Sequence, residues 1–112
     1  MIAVIFELTP RAGANERCFE LAVALKPTLD AIAISAERFE RVTRPGRYVS
    51  LSLRRNEEAV REWRRQSSHR GAQREGRDAV FADYRLRVAA VLRDYGLHDR
   101  AQAPVDSRAA LL

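Results

Sequence analysis

A turn signal in the middle of the chain constrains the fold more than any other feature. Arg44-Pro45-Gly46-Arg47 separates two runs with strand chemistry, 32–43 and 47–54, and two such runs joined so closely predict a β-hairpin. Before it, residues 1–9 form a β-branched and aromatic run in which Ile2, Val4, Ile5 and Phe6 keep both faces apolar until Glu7. Gly13 to Asn15 then introduce a helix whose stripe is Cys18, Leu21, Ala22, Leu25 and Leu29, with Phe19 and Val23 beside it. Pro27 is expected to kink or end that helix. After the hairpin, Asn56 is a good N-cap, Glu57 and Glu58 suit the positive first turn of a short helix, and Arg64 and Arg65 suit its negative last turn. Ser67 or Ser68 can cap a further helix running to about Val80, and a Val-, Leu- and Tyr-rich strand follows over 83–93.

The order strand, helix, strand, strand, broken helix, strand is the split βαβ, or ferredoxin-like, topology of an α+β protein with a four-stranded antiparallel sheet. Its 112 residues suit one domain, placed at 1–96, with 97–112 as a tail or docking arm containing Pro104. The other face of the sheet needs cover. Its positions include Val4, Phe6, Leu8, Ile34, Val49, Leu51 and Leu53 in one or other register, a large apolar patch if bare. A homodimer packed sheet to sheet is therefore expected.

Composition narrows the function. No run approaches the roughly 20 apolar residues of a membrane span, the opening residues lack a basic signal-peptide region, and Cys18 is the only cysteine, so a cytoplasmic protein without membrane, disulfide or cysteine-based metal chemistry is expected. Twenty basic residues against fifteen acidic give a net charge of +5. Eight arginines fall between 54 and 77, but they alternate with glutamate at helical spacing, as in Glu57 and Arg61, which reads as a solvated helix face. Nucleic acid is not expected as a partner, because RNA-binding proteins of this topology stack bases on central-strand aromatics and 47–54 offers only Tyr48. The common hydrolase, zinc-protease and nucleotide motifs are absent, and His69 and His98 have no cysteine partners for a metal site.

Two features carry candidate chemistry. Glu7 is the one ionisable group of the first strand. If Ala3, Ile5 and Glu7 face the helices, desolvation makes it a proton acceptor; otherwise it is a strand-end carboxylate in water or paired with an arginine. The second feature is the broken helix, where Trp63 precedes His69 by six residues and His69, Gln73, Gly76 and Val80 share a face. Ala72 and Gly76 fill little space there, so a pocket lined by Trp63, His69 and Gln73, with Glu7 across from them, is expected to hold a flat organic molecule. The plainer readings are that Trp63 is core, His69 lies on the surface, Gly76 permits close packing and Cys18 is a buried structural thiol.

These pieces together resemble the antibiotic biosynthesis monooxygenase domain, a dimeric α+β barrel family. The resemblance spans residues 1 to about 96 and rests on ERF in the second strand, PG in the hairpin, the EEAVREW helix, His69 followed by Gln73, and FADYRLRVA leading into the last strand. It implies a sheet-to-sheet dimer with one pocket per subunit, and a cofactor-independent monooxygenase acting on a small phenolic or other aromatic substrate. Under that reading Glu7 or His69 is the base, Trp63 a wall, and Gln73 or Arg38 a hydrogen-bond donor. A haem-degrading branch uses an Asn late in the first strand, a Trp, and a His ten residues beyond it; here those places hold Glu7, Trp63 and Gln73. Haem is therefore a secondary expectation, with no cofactor and no metal the primary one. Many members also carry a Gly-aromatic pair entering the second strand and a Trp ending the third, where this chain has Ile32-Ala33 and Arg54. A non-catalytic ligand-binding or stress-associated dimer is the competing functional class.

Overall fold

The computed structural model describes residues 1–107, with the backbone alone at 67–69 and 72. The elements follow the expected order: β1 (Ile2–Pro10), α1 (Asn15–Ile32), β2 (Ser35–Glu40), β3 (Tyr48–Arg54), α2 (Glu57–Arg65), α3 (Ser67–Glu75), one π-helical turn (Gly76–Val80) and β4 (Phe81–Ala90). They build a four-stranded antiparallel sheet in the order β2-β3-β1-β4, the ferredoxin-like α+β fold. Asn56 caps α2 as its chemistry requires, its side chain accepting from the Ala59 amide at 3.0 Å. The expected cap at Ser67 or Ser68 rests on side chains outside the described residues.

Several boundaries differ from the sequence expectation. Pro27 does not end α1, which continues to Ile32. The carbonyl that loses its donor is that of Val23, and both residues lie on the exposed side of the helix, where water can replace the missing bond. Because α1 runs on, β2 is confined to 35–40 rather than 32–43. β4 starts two residues earlier than expected, at Phe81, directly where the π-helical turn ends.

Register decides which side chains meet the helices. β1 is central and pairs with both β3 and β4, so Val4 stands opposite Ser52 and Val88, and Phe6 opposite Ser50 and Leu86. That set lies under the helices: Leu8, Cys18 and Val80 form the buried core, with Phe6, Leu21, Tyr48 and Phe81 packed against it. Ala3, Ile5 and Glu7, with Val49, Leu51 and Leu53, alternate onto the other face. The apolar residues assigned to one uncovered face are thus split, Val4, Phe6 and Leu8 lying beneath the helices. The smallest extent of the molecule, 20 Å, is the thickness of one sheet and one helical layer.

Between β4 and Ser107 the chain has turns but no regular element. The Val91 amide donates to the Met1 carbonyl at 3.0 Å, the Asp94 amide to Gln102 Oε1 at 3.0 Å, and Arg100 Nη1 to the Gly96 carbonyl at 3.2 Å. The tail up to Ser107 is therefore bonded to itself, and 108–112 lie outside the described residues. It lengthens the molecule, whose radius of gyration of 16.2 Å exceeds the roughly 13 Å of a compact chain this size. Among the described residues no helix is long and apolar enough to cross a membrane.

Candidate active site

A cavity of about 230 Å³ opens between the sheet and α1, α2 and the α3 segment. Its walls are mostly apolar. Leu21, Leu25 and Leu29 come from the predicted stripe of α1, Val4 and Phe6 from β1, and Leu86 and Val88 from β4. Phe81 closes one end: its ring meets Phe6 edge to face at 5.6 Å and Tyr84 at 6.0 Å between centroids. Gly76 explains how Phe81 gets there. A Cβ on Gly76 would stand 2.5 Å from Phe81 Cε2, so only a glycine lets the π-helical turn and the ring share this space. The plain reading of Gly76 as a close-packing residue holds.

α2 contributes Val60 and Trp63, three residues apart on one face and both buried. Trp63 lines the cavity, as do Gln73 from α3 and Arg38 from β2. Three of the five site residues expected from sequence therefore converge on one cavity. Glu7 does not join them. It sits on the opposite sheet face, 3.2 Å from Arg87 Nη1 on β4, which corrects the expectation that it stands across the pocket from Trp63. The strand alternates strictly, so placing Phe6 under the helices turns Glu7 away. The His69 side chain lies outside the described residues; its backbone is in α3, four positions before Gln73.

The residue that sequence reasoning missed is Arg54, noted there only as a departure from a family pattern. It is 2% exposed and lines the cavity, with its guanidinium 5.6 Å from the centroid of the Trp63 ring. Its Nε donates to Ser52 Oγ at 3.1 Å, while Nη1 is buried without a hydrogen-bond partner. Burial lowers its pKa from the ordinary arginine value. The available signal was the alternation in β3: Tyr48, Ser50, Ser52 and Arg54 share one face and Val49, Leu51 and Leu53 the other. Cys18 is buried at the cavity wall, and that burial pushes its thiol pKa up, against a smaller opposing effect of Arg38. Among the described residues, no three His, Cys, Asp or Glu side chains gather as a metal-holding group.

Fold and cavity together define a ferredoxin-like protein with a largely apolar cavity between its sheet and its helices. No protein-family model matches the chain. The chain is nevertheless related to the antibiotic biosynthesis monooxygenases, as its sequence suggested: over 93 residues it is 40% identical to a protein of Pyricularia oryzae named jasmonate monooxygenase ABM. The match takes in 81% of this chain but 43% of that relative, so the chain spans less than half of its relative's length. Among solved structures, Rv0793 from Mycobacterium tuberculosis superposes with a TM-score of 0.75 at 21% identity, covering 83% of this chain and 96% of that one. A structure described as an antibiotic biosynthesis monooxygenase gives a TM-score of 0.70 at 14% identity, covering 82% and 99%. At those identities the structural likeness concerns the fold.

Proposed function

We propose that the chain is a monooxygenase that takes a small, largely apolar organic molecule into the cavity between sheet and helices and oxidises it with dioxygen, as a homodimer joined through the sheet face away from the helices. The observation that supports this most is an apolar cavity with a few polar groups at Trp63, Gln73 and Arg38, in a chain 40% identical to a protein named as a monooxygenase. The dimer is supported by the outward alternation of Ile5, Val49, Leu51 and Leu53 and by Phe39, which is 47% exposed.

In the cofactor-free form of this chemistry the substrate is its own reductant. A carbon acid or phenol loses a proton, the resulting anion passes an electron to dioxygen, one oxygen atom enters the substrate, and the other leaves as water with two hydrogens from the substrate. Anthrone plus dioxygen, for instance, balances as anthraquinone plus water. The protein's part is to accept the proton, hold the anion and exclude water. His69, four positions before Gln73, is the proton acceptor in this reading, Trp63 and Phe81 are walls, and Gln73 and Arg38 donate hydrogen bonds to the substrate oxygen. Glu7, on the opposite face, is left to its pair with Arg87.

The test is oxygen uptake by purified protein with anthrone, 1-naphthol and jasmonate, the last because the relative is named for it, with products weighed by mass spectrometry under ¹⁸O₂. Uptake with one ¹⁸O atom per product, lowered by both His69→Ala and Trp63→Ala, is expected. No uptake above the protein-free blank with any of the three would overturn the reading.

A further inference from the structure

The proposed reaction leaves one buried group without a task. Among the described residues, Arg54 is held in the apolar layer between sheet and helices with one hydrogen bond, through Nε, and no carboxylate paired with it, and its Nη1 is unsatisfied. Isolating a guanidinium in this way is costly unless an anion reaches it. The cavity it lines carries two more cations, Arg38 and the α2 residue Arg64, and no Asp or Glu among its described lining residues. A cavity with apolar walls and charge of one sign concentrates small molecules of the opposite sign that also have an apolar body.

We propose that the cavity takes a small organic carboxylate and that Arg54 is its anchor, the acid group lying at the guanidinium and the apolar body along Leu25, Leu29 and Val88. This inference names a substrate class and rests on the reading of the cavity as the substrate site. A single carboxylate suits a lone buried arginine better than a phosphate dianion, which would bring a second charge into the layer without a buried counterpart. Arg38 and Arg64, nearer to solvent, draw the anion towards the cavity, and Trp63 holds the guanidinium in place through its ring face.

The experiment compares three probes on one bicyclic body, measured by calorimetry on the full chain: 2-naphthoate, its neutral methyl ester, and 2-naphthyl phosphate. The wild type is expected to bind the carboxylate about tenfold or more tighter than the ester, the scale of one charge-assisted hydrogen bond, and tighter than the phosphate. Arg54→Met should erase the acid-over-ester preference while leaving ester binding within about twofold, which also shows the cavity intact. Arg54→Lys, keeping the charge, should restore part of the preference. Equal binding of acid and ester by the wild type, an undiminished acid preference in Arg54→Met, or a preference for the phosphate would each overturn the proposal. An acid preference that depends on Arg54, found in a protein that oxidises none of the compounds, would support the anchor and count against the monooxygenase reading alone.

Discussion

Replacing Gly76 by alanine sets two effects against each other, and the geometry decides between them. Removing a helical glycine favours the folded state by about 1 kcal/mol, because alanine has less backbone freedom to lose. The new methyl would lie 2.5, 2.9 and 3.0 Å from three carbons of the Phe81 ring, closer than side chains approach one another. The ring cannot simply swing away, since it is held edge-on by Phe6 and tilted against Tyr84. Overpacking costs about 1–3 kcal/mol, and disturbing the aromatic contacts about 0.5–1.5 kcal/mol more. The clash wins, and Gly76→Ala should be destabilised by about 1–3 kcal/mol. For a domain of this size that lowers the thermal midpoint by roughly 5 °C or more. Gly71, in α3, is the internal control: a Cβ there meets nothing within 4 Å, so Gly71→Ala should gain up to about 1 kcal/mol. Adding Phe81→Leu to Gly76→Ala should cost less than the two changes separately, because the smaller side chain relieves the clash. The assay is thermal and urea unfolding followed by circular dichroism. A Gly76→Ala protein as stable as Gly71→Ala would refute the wedge.

Two further outcomes follow from surfaces described above. Leu51→Glu puts a charge in the middle of the sheet face away from the helices; the wild type should sediment at twice the chain's mass at micromolar concentration and this variant as a monomer, and a monomeric wild type would end the dimer proposal. Arg17 ties α1 to α3 through both oxygens of Glu75, Nη2 to Oε1 at 2.8 Å, and this holds the Glu75 pKa below the usual glutamate value. A depressed carboxylate contributes stability above its unfolded pKa and loses it as pH falls through the folded one. Glu75→Gln should therefore melt lower than wild type at pH 7 and low salt, with the gap closing both below about pH 4 and in molar salt; a gap unchanged by acid would mean that the pair is not its source.

Most of the fold was legible because its signals are local. A proline–glycine turn, an asparagine cap and a three-and-four stripe each act within a few residues, and each lies where the chain suggested. That Trp63 and Gln73 would line one cavity was legible for the same reason, as helical spacing fixes their neighbours. The face of the sheet was not legible, since it depends on which strands pair and in what register. β3 makes the difficulty concrete. Burying hydrophobic side chains would turn Val49, Leu51 and Leu53 towards the helices, yet pairing with β1 turns Tyr48, Ser50, Ser52 and Arg54 there instead. Glu7 went to the wrong side by the same uncertainty, and Arg54 stayed hidden because a strand-end arginine normally lies in water.

The hairpin turn thereby does more than connect β2 to β3. Burial alone does not select the register of β3, so the positions of Ser50, Ser52 and Arg54 depend on how the chain reverses between 41 and 47. There Gly46 adopts φ +82° and donates to Glu40 Oε2 at 3.0 Å, and the Arg41 amide donates to the Arg47 carbonyl at 2.8 Å. A one-residue insertion or deletion in this turn that slips the strand would exchange a lining of two hydroxyls and a guanidinium for one of valine and leucine, with no codon of β3 changed. Ligand preference in such a scaffold can evolve through loop length, at a site that never touches the ligand.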